Sequence, residues 1–133
     1  MAISLGFTQN QVVQEFYVDD DSDEAVRDAV ARETGHELVD VDYGDVVDGA
    51  LVWWRADDAE EEDLGDVLVD VSSNLDDGGM IWVLFPKPSD PNTVPVADIA
   101  EAASVAGLHS TSAFSMGDTW TGICVTARPR AHR

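Results

Sequence analysis

Residues 48–63 read DGALVWWRADDAEEED, a strongly apolar run with two adjacent tryptophans followed by six acids in seven residues. A strand half exposed to water alternates apolar and polar positions, and "GALVWW" does not. It therefore reads as an interior strand covered on both faces. The acids that follow suit the first turns of a helix, where negative charge meets the positive end of the helix dipole. Asp57 and Asp58 open that helix, and Leu64, Val67, Leu68, Val71 and Leu75 supply its apolar stripe, with "LDDGG" as its stop.

Outward from this stretch, strands and helices alternate. "QVVQEFYV" (11–18) is rich in β-formers and precedes a helix capped by Ser22, with Val26, Ala29 and Val30 at helical spacing and Gly35 as its stop. "HELVDVDY" (36–43) alternates as a short strand. "MIWVLF" (80–85) is a second strand apolar on both faces. A proline-rich loop then leads to the helix "VADIAEAASVAGL", which packs Ile99, Ala102, Ala103 and Ala106. "STSAFSM", a "GDTW" turn and "GICVTARP" form a closing hairpin. The expected fold is α/β: a mostly parallel sheet flanked by helices on both faces, with a closing antiparallel hairpin. The 133 residues form a single domain, 1–133, with a frayed tail at about 128–133.

Charge limits the functional classes. The chain carries 27 acids against 7 bases, a net charge of −20. Arg128, Arg130 and Arg133 lie in the tail, so Arg27, Arg32, Arg55 and Lys87 are the bases of residues 1–127. Such a body repels phosphates and anionic headgroups, which argues against direct nucleic-acid or membrane binding and favours a basic protein partner. The same charge also aids solubility. The N-terminal "MAISLGF" lacks the pattern of a signal peptide and no apolar run approaches a membrane span, so a cytoplasmic location is expected.

Catalytic signatures are absent. "DDDSDE" (19–24) has Glu24 and Val30 where a calcium loop requires glycine and glutamate. His36, His109 and His132 have no partners at ligand spacing, and Cys124, the one cysteine, sits in a strand pattern as a small core residue. Ser110, Ser112 and Ser115 lack a nucleophile elbow, and no glycine-rich phosphate loop occurs. No metal or other cofactor is expected. Four tryptophans read mainly as core, with Trp120, in the hairpin turn, expected to be exposed and to contact a partner.

The stretch "DVVDGALVWW", the helix after it, "LDDGGMIWVL", "ADIAEAASVAGL" and "STSAF…TWTGICVTARP" resemble the later half of class I S-adenosylmethionine-dependent methyltransferases over residues 45–129. The resemblance implies a truncated, Rossmann-like architecture. It departs at the first strand: where that family places a glycine-rich turn, "VVQEFYVDDD" has none, which implies that cofactor binding has been lost. Across Leu5–Pro129 the chain resembles the small acidic actinobacterial proteins grouped as domain-of-unknown-function family 3052, on "QVVQE", "ELVD", "LVWWR" and "DIAEAA". That family brings no activity or site residues.

The expected function is that of a non-enzymatic acidic binding or regulatory protein docking a basic protein. One alternative is a small-molecule-binding domain with a pocket at the strand carboxyl ends, taking a nucleotide or S-adenosylmethionine-like ligand. Glu15, Tyr17, Asp40, Asp42 and Trp54 would line that pocket. Another is an acidic mimic of nucleic acid.

Overall fold

The computed structural model describes residues 3–127; the expected frayed tail lies outside them. In chain order the elements are β1 (Val13–Phe16), α1 (Glu24–Thr34), β2 (Val47–Trp53), α2 (Ala56–Glu61), α3 (Leu64–Ser72), β3 (Leu75–Pro86), α4 (Val96–Val105), β4 (Leu108–Met116) and β5 (Trp120–Ala127). They build one five-stranded sheet in the order β1-β2-β3-β5-β4. The first three strands are parallel and the hairpin β4–β5 is antiparallel.

The doubly apolar run is an interior strand, as its composition requires. Along β2 and just beyond it, Ala50, Val52 and Trp54 face α3 and α4, while Leu51 and Trp53 face α1. The adjacent tryptophans therefore anchor opposite cores, and both are essentially inaccessible to solvent. Strand β3 repeats the arrangement, with Ile81, Val83 and Phe85 on one side and Trp82 and Leu84 on the other. The N-terminal arm completes the α1 face through Leu5 and Phe7, whose backbone N–H groups donate to the Glu33 carboxylate.

Four local expectations need correction. The stretch 36–43 forms no strand: Val39 makes only an isolated parallel bridge to Gln14. The helix after β2 is two helices, because Glu62 and Asp63 are extended and the Asp63 side chain accepts from Gly65 N–H to cap α3 anew. Six near-contiguous acids repel at helical spacing, and a break with a fresh cap relieves that. Leu75 and "DDGG" belong to β3 rather than to a helix end. A Cβ on Gly79 would lie 2.6 Å from the Asp48 carbonyl oxygen, so this glycine permits close passage at the register shift between β2 and β3. The α1 cap is Asp23, which accepts from Ala25 N–H, rather than Ser22. Among the described residues no helix is long and apolar enough to cross a membrane.

Leu51→Ala, on the interior strand, is expected to cost about 2–5 kcal/mol. Val105→Ala, on an exposed helix face, should stay within about 0.5 kcal/mol of the parent. Urea denaturation of the two variants checks the assignment.

Candidate functional site

In open parallel sheets, ligands bind beyond the carboxyl ends of the strands. Here β1 and β2 deliver Phe16–Tyr17 and Trp53–Trp54–Arg55 to that position. Tyr17 turns the chain with φ of 63°, a conformation that favours glycine. The acidic loop 18–23 then folds back over the strand ends.

Arg55 fills the crevice between them. It continues the β2 alternation on the α1 side and is only 6% exposed. Its Nε and Nη2 donate to the Asp21 carboxylate at 2.9 and 2.6 Å. Nη1 donates to the carbonyls of Tyr17 and Trp53 at 3.0 and 3.2 Å and to Asp58 at 3.3 Å. Nη2 also reaches the Ser22 hydroxyl. The guanidinium carbon stands 5.3 Å from the centre of the Trp120 ring, and Trp120 Nε1 donates to the Asp21 carbonyl. Trp53 meets Trp120 edge to face at 4.9 Å.

Burial works against the Arg55 charge, yet Asp21 and Asp58 hold its pKa above the ordinary value. Reciprocally, the hydrogen bond from Arg55 holds the Asp21 carboxyl below the usual carboxylate range.

This network corrects the reading of Trp120. It is 2% exposed and seals the crevice, so it is no surface contact. A position in a sharp turn does not make a side chain exposed when the ring folds back beneath a cation.

The five expected pocket residues do not share a cavity. Glu15 is buried on the α1 side and accepts a forked pair from Arg27 at 2.7 and 2.8 Å. Asp40 and Asp42 are exposed in the loop after Val39, where Asp40 accepts from the Asp42 N–H. Only Tyr17 and Trp54 meet, edge to face at 5.3 Å. Burial, then the charges of Glu62, Asp58 and Asp70, push the Tyr17 phenol up, so it stays neutral. Cys124 is half-buried with its sulfur 3.7 Å from that of Met80, and burial pushes its thiol up. It is thus poorly suited to act as a thiolate nucleophile.

Two open cavities lie elsewhere. One, of about 540 Å³, runs between the α2–α3 turn and α4. Trp54, Leu64, Ala102 and Val105 give it an apolar floor, and Glu60 to Asp63, Asp98 and Glu101 surround it, with no base in the lining among the described residues. Among the described residues no group of acids, histidines or cysteines converges to hold a metal ion. The other cavity, of about 870 Å³, lies on the α1 side beneath the β4–β5 hairpin, with Trp82, Phe114 and Cys124 in its wall. Sequence reasoning missed the acidic groove because the turn and α4 are some forty residues apart. The acid run from Asp57 to Asp63, with no base from Ala56 to Pro86, was the available signal.

The profile of a family described as "Protein of unknown function (DUF3052)" matches residues 2–129. An uncharacterized protein of Mycobacterium tuberculosis is 40% identical over 130 residues, covering 98% of this chain and 80% of its own; its Mycobacterium bovis counterpart matches equally. Among solved structures, a TehB-like S-adenosylmethionine-dependent methyltransferase from Corynebacterium glutamicum aligns with a TM-score of 0.57 at 12% identity, over 90% of this chain and 82% of that one. A ribosomal protein L11 methylase from Lactobacillus delbrueckii gives 0.57 at 12% identity, over 93% and 73%. At such identities the likeness concerns the fold alone, which is the Rossmann-like one of these methyltransferases.

Because Asp21 has a depressed pKa in the folded chain, its pair with Arg55 contributes fully above the usual carboxylate range. The contribution is lost as pH falls through that range and below it. Asp21→Asn is expected to cost about 1 kcal/mol at neutral pH, the half-exposed carboxylate being partly screened. The variant should also show a shallower loss of stability in acid. Thermal melts of both proteins across the acid range check this.

Proposed function

We propose, from the premise that the chain belongs to the family described as protein of unknown function (DUF3052), that it is a non-enzymatic binding protein whose acidic groove docks a basic, amphipathic segment of a protein partner. The observation that carries the reading is the groove between the α2–α3 turn and α4. Its apolar floor would take aliphatic side chains, and its ring of carboxylates would take lysines and arginines. Exposed Val105, at the groove's end, extends the floor.

The filled crevice supports the non-enzymatic part. A cofactor entering at the strand carboxyl ends would have to displace a guanidinium held by two carboxylates, two carbonyls and an indole face. Nor is there a glycine-rich turn after β1: Tyr17 takes the left-handed conformation there, with its ring against Trp54.

Two titrations test the reading. A synthetic helical peptide alternating lysine-rich and leucine-rich faces is expected to bind, with affinity falling steeply as salt rises, since exposed charges are screened within about 10 Å at 0.1 M. Glu61→Lys with Asp98→Lys should weaken it roughly tenfold or more, since like charges juxtaposed at an interface cost that much. Equal binding of a polylysine peptide lacking apolar residues would reduce the groove to unspecific charge and sink the proposal. S-adenosylmethionine should leave the melting temperature unchanged. A rise of several degrees, the effect of about 2.7 kcal/mol at 100 times the dissociation constant, would overturn the non-enzymatic part.

A further inference from the structure

Strand β4 is the outermost strand of the sheet, paired with β5 on one side only. From His109 to Ser115 no side chain is buried, although alternate residues point to opposite faces. Of this strand only Leu108, packed with α4 on one side, and Met116, on the α1 side, join the buried clusters that cover β2 and β3. Phe114 is half exposed, with an edge contact to Trp82 at 6.2 Å. Inside a three-layer fold, a strand bare on both faces and open along its edge is an unfinished surface.

Its charge sets it apart from the rest of the molecule. The acids run from Glu15 to Glu101, and after Glu101 the sole acid is Asp118. Strand β4 contains no Asp, Glu, Lys or Arg and no proline. Those are the residues that usually keep a free edge from pairing. The one protective device present is the irregularity between Ser110 and Ala113. It is tied inward, since Thr111 Oγ1 accepts from Cys124 N–H and donates to the Ser112 carbonyl. Beyond it, Ala113 to Met116 lie in regular register with β5.

We propose that the protein self-associates through this edge. Two copies set their Ala113–Met116 segments antiparallel about a two-fold axis, so that the sheet continues from one protomer into the other and each Phe114 is covered. A second copy is the occupant the charge distribution selects. With a net charge of −20, two copies repel across any pair of acidic faces, and the hairpin flank is the approach with the least like-charge cost. An antiparallel strand pair is also self-complementary under a two-fold axis, which satisfies both free edges at once. A basic partner finds no carboxylates on β4. The acidic groove lies on the α3–α4 side, so each protomer of the pair would keep its own. The inference is independent of the proposed docking function.

Sedimentation velocity over a wide concentration range, at low and high salt, tests it. The expected result is a monomer–dimer equilibrium that strengthens with salt as the mutual repulsion is screened, opposite in sign to basic-peptide docking. Phe114→Glu and, separately, Ser115→Glu place like charges at the two-fold contact and should weaken the dimer roughly tenfold or more. Both positions are exposed, so circular dichroism and melting of the dilute variants should match the parent. A parent that stays monomeric at high concentration and high salt would overturn the proposal. So would a dimer that both variants leave intact, since its contact would then lie elsewhere.

Discussion

The placement of Arg55 organises the end of the sheet where a fold of this type takes its ligands. A guanidinium taken out of water incurs a desolvation penalty that only well-aimed partners offset. The chain supplies them from three directions: Asp21 from the loop after β1, Asp58 from the first turn of α2, and the carbonyls of Tyr17 and Trp53 from the ends of the parallel strands. Trp120 arrives from the hairpin and closes the remaining side. Once this cation is in place, the acidic loop is fixed, the β1 turn is fixed, and the crevice is occupied by the protein itself.

The chain shares its fold with methyltransferases, and a shared fold carries no activity with it. Fold and chemistry separate readily, because a sheet with helices on both faces is stable for reasons of packing alone. In this chain α1 and the N-terminal arm lie on one face, and α3 and α4 on the other. Tyr17 adopts the backbone conformation that glycine would adopt without strain and uses it to set a ring against Trp54.

Charge is divided along the same lines. Acids cap or precede the helices: Asp23 before α1, Asp57 and Asp58 in α2, Asp63 before α3, and Asp98 in α4. Each meets a helix N-terminus, where negative charge is favoured. The hairpin carries almost none of it. The acidic helical faces and the uncharged outer strand are thus two surfaces of different chemistry.

By itself the sequence determined what depends on neighbours in the chain. The unbroken run of Gly49 to Trp54 had to be an interior strand, "DIAEAASV" a helix with Ile99, Ala102 and Ala103 inward, and residues 108–127 a hairpin. Periodicity of 2 or 3.6 residues is a local property, and it is legible. The family was legible too, through short local motifs. Only the tertiary structure decided what depends on distant partners. Arg55 meets Asp21 across 34 positions, Glu15 meets Arg27 across 12, and Trp120 reaches Asp21 across 99. Val39 keeps a single bridge where an alternating pattern promised a strand. A pattern of apolar residues says which side of an element is buried, whereas the identity of what buries it depends on long-range packing. The network around Arg55 draws Asp21, Tyr17 and Trp120 from such distances.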